Sequence, residues 1–172
     1  MDLSNKKVLM VIAPDGFRDE EYFVPKQVLE NYGTKVITAS KEKEAISKIE
    51  KKKVKIDILL KDATADYDAV IFVGGPGSAT YFNDKTALNL AKTAYEKGKI
   101  VAAICIAPVI LANSEILQGK RATVWSSEGK KLEEKGAIYT GKPVTQDGKI
   151  ITADGPNSAR EFAETIAKAL KS

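Results

Sequence analysis

Four short runs of apolar, largely β-branched residues recur along the chain: Lys7 to Ala13 (KVLMVIA), Lys35 to Ser40 (KVITAS), Asp68 to Val73 (DAVIFV) and Ile100 to Ile104 (IVAAI). None alternates with polar residues, as a strand with one wet face would. Each therefore reads as a strand buried on both faces, and strands of that kind occur in parallel sheets covered by helices on either side. The segments between them have helical spacing. From Glu20, the residues Tyr22, Phe23, Val28, Leu29 and Tyr32 approximate one helical stripe, with Pro25 tolerable only near its first turn and Gly33 as a stop. Strand, helix and strand in that order make a right-handed crossover unit. A second helix is expected from a cap at Asn83 or Asp84 to about Lys97, and a third, after Cys105, with Pro108 in its first turn, to about Asn113.

Further on, the pattern predicts a strand at Arg121 to Trp125, a helix near Glu128 to Lys135 and short strands around Ile138 and Ile150 to Ala153. A final amphipathic helix, Ala159 to Leu170, is capped by Asn157 or Ser158. Residues 41 to 66 are the least legible: Ala45, Ile46 and Ile49 fit a helix, VKIDILL alternates like a strand, and the reading adopted is an excursion carrying short strands. With no linker or repeat, residues 1–172 are expected to form one domain, a three-layer α/β sandwich with a mostly parallel, flavodoxin-like sheet.

Composition removes more chemistry than any motif supplies. There is no histidine among the 172 residues and only one cysteine. A Ser-His-Asp triad, a Cys-His dyad or a histidine-ligated metal is excluded, and one cysteine makes neither a zinc site nor an internal disulfide. No metal or cofactor is expected. A reducing, cytoplasmic setting follows from the lone thiol and from the absence of a signal-peptide pattern. The longest apolar run, Ile100 to Ala112, falls short of the roughly 18 residues a membrane span needs. The net charge of +4 is too slight to imply nucleic acid, and the lysine-rich stretch Lys41 to Lys55 lacks interleaved aromatics, so it reads as a solvated face.

In an open α/β sheet, reactive groups gather at the carboxyl ends of the strands. Four segments are expected there: Pro14 to Glu21, Gly74 to Ser78, Cys105, and Ala153 to Asn157. Cys105 ends a strand and precedes a helix, the position of a nucleophile elbow, where N–H groups and the helix dipole favour a thiolate. An isolated cysteine in an apolar run is also commonly a small buried hydrophobe, and the turn alone leaves both readings open. The segment GGPGS lacks the spacing of a phosphate-binding loop.

Taken together, AAICIAP around Cys105, VGGPGS after the preceding strand, F-R-D-E-E-Y-F-V-P after the first strand and T-A-D-G-P near the end resemble the ThiJ/PfpI superfamily, over nearly the whole chain. The resemblance implies a glutamate four residues before a proline against the cysteine sulfur, which selects Glu21 over Asp19 and Glu20, both read as solvated charges. Beside a thiolate, that carboxyl is expected to keep its proton and donate it to sulfur. The resemblance also implies that the amides of Gly75 and Ile106 face the sulfur, and that the chain is a homodimer. The departures are as informative. Ile106 stands where protease-like members carry histidine, Trp125 where another branch has one, and Asp154 where that branch has arginine. Trp125 and Asp154 are thus expected to line the pocket, and Cys-His hydrolysis becomes untenable. What is implied is a stress-response protein with Cys105 as an oxidisable thiol held by Glu21. The alternatives are a glyoxalase- or deglycase-like enzyme using the same pair on reactive carbonyls, and a chaperone-like binding protein.

Overall fold

The computed structural model describes residues 1–172. Its strands are β1 (Lys7–Val11), β2 (Asp15–Phe17), β3 (Lys35–Ser40), β4 (Glu44–Ser47), β5 (Lys53–Lys55), β6 (Ile58–Leu59), β7 (Ala69–Phe72), β8 (Ile100–Ile104), β9 (Arg121–Ala122), β10 (Ile138–Tyr139), β11 (Val144–Asp147) and β12 (Ile150–Ala153). The helices are α1 (Asp19–Asn31), α2 (Lys85–Glu96), α3 (Pro108–Asn113), α4 (Gly129–Glu134) and α5 (Ala159–Lys171). Seven strands form the central sheet in the order β11-β12-β8-β7-β1-β3-β6, all parallel except β11 against β12.

The unbroken apolar strands are explained by two separate cores. Leu9, Val11, Val70, Phe72, Val101 and Ala103 face α2, α3 and α4 in a cluster of 28 buried residues. Their sequence neighbours Val8, Met10, Ile71, Ala102 and Ile104 face α1 and α5 in a second cluster of 22. Successive side chains point to opposite faces, and both faces are covered. The result is a three-layer, flavodoxin-like α/β sandwich. Truncating a fully buried strand residue such as Ile71 to alanine would cost about 2–5 kcal/mol, from lost transfer energy and the cavity left behind.

The loop after β1 carries β2, which pairs with β4, and β4 with β5, in a small second sheet. Residues 41 to 66 thus carry short strands, joined by a turn with Lys51 at φ +54°. Asp19 is not solvated: it is buried and accepts from the amides of Ile49 (2.8 Å) and Glu50 (3.1 Å), tying this hairpin to the start of α1. Burial alone would raise its carboxyl, but donors from Ser47, Ile49 and Glu50 hold it below the usual range. Glu20 is half-buried and pairs with Arg18 at 2.9 Å.

Pro25 lies inside α1 rather than near its first turn, since the helix begins at Asp19. Its ring bears on the carbonyl of the residue four back, which is Glu21, and that carbonyl loses its intrahelical donor. Interior proline normally costs a helix about 3 kcal/mol. The strand predicted over Arg121 to Trp125 pairs only at Arg121–Ala122, with Ile138–Tyr139. No helix of the chain is long and apolar enough to cross a membrane.

Candidate active site

The carboxyl ends of β1, β7, β8 and β12 meet at Cys105. The thiol residue sits immediately after β8 with φ +65°, a left-handed conformation that costs a non-glycine residue about 1–2 kcal/mol. Two backbone bonds hold it there: Cys105 N–H donates to Ala153 O (2.9 Å), and Trp125 N–H donates to Cys105 O (2.8 Å). Rigid neighbours on both sides therefore maintain the strain and aim the side chain off the sheet edge.

Glu21, in the first turn of α1, is completely buried. Neither carboxyl oxygen has a hydrogen-bond partner of full geometry, and the polar groups acting on it are the Cys105 thiol and the Gly74 amide. Burial pushes its pKa from 4.5 to about 8, against smaller lowering effects from the thiol and from Arg18. At neutral pH the carboxyl carries its proton.

Gly74 makes the approach of Glu21 to Cys105 possible. A Cβ there would collide with Glu21 Oε1 and stand 2.5 Å from Ile104 O and 2.6 Å from Cys105 Cβ. Glycine is required by space here, not by φ. The sequence places Gly74 at a strand end of the site but not this role, because a close approach of two distant side chains leaves no local signal. Gly75 differs, with φ +97°, and any Cβ on it would strike the Arg18 amide.

The amides of Gly75 and Ile106 both act on the thiol to lower its pKa. They do not prevail. Burial, followed by the proximity of the Glu21 carboxyl, pushes Cys105 up to about 12, so the resting group is a thiol rather than the thiolate expected of an elbow. The helix contributes little, since α3 starts three residues later at Pro108 and spans only six residues. Sulfur is served by loop amides instead.

Trp125 and Asp154 lie beside the pair, not against it. Both line an open cleft of about 690 Å³ together with Arg18, Tyr139 and Glu161, and neither Cys105 nor Glu21 is among its walls. The five Cys105-centred groups Glu21, Gly74, Gly75, Ile106 and Cys105 thus form one cluster, with the cleft adjoining it through Trp125 and Asp154. Arg18, which caps α1 and donates its amide to Gly74 O (3.0 Å), was not identified from sequence. No group of three or more Asp, Glu or Cys side chains is arranged to hold a metal ion.

The DJ-1/PfpI family model matches residues 6–169. The chain belongs to the DJ-1/PfpI family. A solved ThiJ/PfpI domain protein from Brachyspira murdochii superposes with a TM-score of 0.93 at 33% identity, covering 99% of this chain and 98% of that one. Among sequence relatives, a Bacillus subtilis protein named putative cysteine protease YraA is 33% identical over 96% of this chain and 99% of its own length. A Caenorhabditis elegans protein named as a glutathione-independent glyoxalase is 28% identical over 98% of this chain and 90% of its own. These DJ-1/PfpI relatives carry names for different chemistries, so the residues present have to discriminate between them.

Proposed function

We propose that Cys105 and Glu21 form one reaction centre acting on small reactive carbonyls, with Cys105 as nucleophile and Glu21 as the group that moves protons. The supporting observation is the fully buried, protonated Glu21 carboxyl whose polar neighbours are the thiol and the Gly74 amide. A buried carboxyl with no other outlet is suited to exchange protons with the sulfur and with whatever the sulfur attacks. For a 2-oxoaldehyde, sulfur bonds to the aldehyde carbon while one Glu21 oxygen takes the thiol proton and the other gives its proton to the carbonyl oxygen. One Glu21 oxygen then takes the proton of the former aldehyde carbon while the other protonates the ketone oxygen, giving an enediol. Glu21 next delivers that proton to the former ketone carbon and takes the hydroxyl proton from the sulfur-bound carbon, leaving a thioester, which water cleaves to a 2-hydroxy acid and free thiol. Within the substrate one carbon is oxidised and its neighbour reduced, so no external oxidant is needed. The Gly75 and Ile106 amides, which act on the sulfur, are the donors proposed for charge developing on the attacked carbonyl oxygen. Peptide hydrolysis lacks support, since a chain without histidine cannot build the Cys-His pair that such cleavage uses. Incubation with methylglyoxal tests the reading: lactate should form with the native chain and not with Cys105→Ser, and no lactate from either would end it.

A second reading, oxidation of Cys105 to a sulfinic acid in a stress response, is favoured by the same two amides acting on the sulfur and by the protonated Glu21 carboxyl beside it. Residues 1–172 acting as one domain, a reducing cytoplasmic setting that preserves the free thiol, and a homodimer complete the proposal. Exposed Ile138 (56%) and Ile49 (56%) are apolar positions a second copy would cover. Sedimentation at micromolar concentration should give twice the chain mass, and a clean monomer would refute the dimer.

A further inference from the structure

The cleft beside the elbow holds three charged side chains, Arg18, Asp154 and Glu161. The one cation, Arg18, is paired through a single nitrogen, Nε donating to Glu20 Oε2 at 2.9 Å. The two carboxylates are not neutralised: neither Asp154 nor Glu161 takes part in any of the seven ion pairs of the chain. Asp154 is nevertheless fixed in place, with Oδ1 accepting from Ser158 Oγ at 2.6 Å and its amide donating to Pro143 O at 3.0 Å. That hydrogen bond orients the carboxylate without cancelling its charge.

Aromatic surface completes the arrangement. Trp125 is the only tryptophan and is 45% exposed, an unusual state for so large an apolar side chain. Its six-membered ring packs against Gly155, where an added Cβ would lie 3.0 Å from Cζ3 and 3.1 Å from Cε3. Tyr139 adds a second ring to the same cleft. A concave site with two uncompensated carboxylates and an open indole complements an organic cation, which gains from the ring quadrupole and from both negative charges. A small anion meets the opposite balance, two carboxylates against one guanidinium.

We propose that this cleft binds an alkylammonium or guanidinium group, and that it gives the Cys105 centre a preference for carbonyl compounds bearing such a cationic arm. The link to the thiol is short. Trp125 N–H donates to Cys105 O, and Asp154 follows Ala153, whose carbonyl accepts from Cys105 N–H. This preference rests on the carbonyl reading of the centre, whereas binding of the cation does not.

Agmatine, which carries both cationic groups and no carbonyl, separates the two. Titrated into the native protein, it should change Trp125 fluorescence saturably and release or absorb heat in calorimetry. Propylurea and butyrate, the neutral and anionic controls, should do neither. Asp154→Asn with Glu161→Gln should weaken agmatine by about tenfold, the combined loss of two partly exposed charge contacts. No saturable agmatine binding by either readout, equal binding of propylurea, or undiminished binding by the double variant would overturn the inference. A failed methylglyoxal assay with intact agmatine binding would sink the carbonyl reading alone.

Discussion

Replacing Glu21 by glutamine keeps the shape of the side chain and removes a titration from the interior, and the consequence for stability can be worked out with its sign. In the folded chain the carboxyl holds its proton until about pH 8, while in the unfolded chain it releases it near 4.5. Below 4.5 both states are protonated and the group contributes nothing that changes with pH. Between 4.5 and 8 only the unfolded state gives up the proton, so native stability falls as pH rises, by about 1.4 kcal/mol per pH unit. Above 8 the loss is complete. At pH 7 the native chain has therefore lost about 3 kcal/mol that Glu21→Gln retains. Cys105 adds little slope in this window, because its thiol keeps its proton up to about 9 even in the unfolded chain and to about 12 in the folded one. The glutamine amide has unmet hydrogen bonds of its own, a cost that does not vary with pH, so the slope carries the prediction and the offset does not. Urea unfolding at pH 5, 6, 7, 8 and 9, followed by the single tryptophan, measures it. The stability difference between variant and native should climb from pH 5 to 8 and level off. A difference that stays flat across the series would refute a buried, protonated Glu21.

Gly74→Ala should destabilise by about 1–3 kcal/mol in urea unfolding, since the obstructing Ile104 carbonyl is backbone and cannot move aside, and it should abolish Cys105-dependent turnover. Cys105→Gly should be about 1 kcal/mol more stable than Cys105→Ala by the same measurement, because glycine accepts φ +65° without strain. Under mild peroxide the intact mass should rise by about 32 Da on Cys105, slowly at pH 7 and faster above pH 8, as a buried thiol requires. Equal rates at both values would contradict the raised thiol.

The sheet was legible because its strands advertise two-sided burial: Lys35–Ser40 and Ile100–Ile104 occur with the predicted limits. Strand β11 escaped notice since Val-Thr-Gln-Asp, at an antiparallel edge, carries little apolar signal. Helix α1 was foreseen, but its early start at Asp19, despite an interior proline, reflects tertiary packing against α5 and the hairpin that Asp19 anchors, neither of which local pattern encodes. Within the site, Cys105 announced itself by position and Glu21 through its family motif. The clearance at Gly74 and the high pKa of the thiol depend on residues far apart in the chain, Glu21, Gly74 and Cys105, and only the folded geometry brings those together.

The coupling of Cys105 to Glu21 is tested most directly by the rate of Cys105 alkylation with iodoacetamide from pH 6 to 10, in the native chain and in Glu21→Gln. If the two groups share protons, loss of the first proton from the pair near pH 8 lets the carboxylate draw the proton from sulfur as it attacks, so the native rate should rise with an inflection there. Glu21→Gln should show no inflection near pH 8 and should climb only toward the alkaline end of the series. Superimposable profiles for the two proteins would contradict the account, because Cys105 would then react without reference to Glu21.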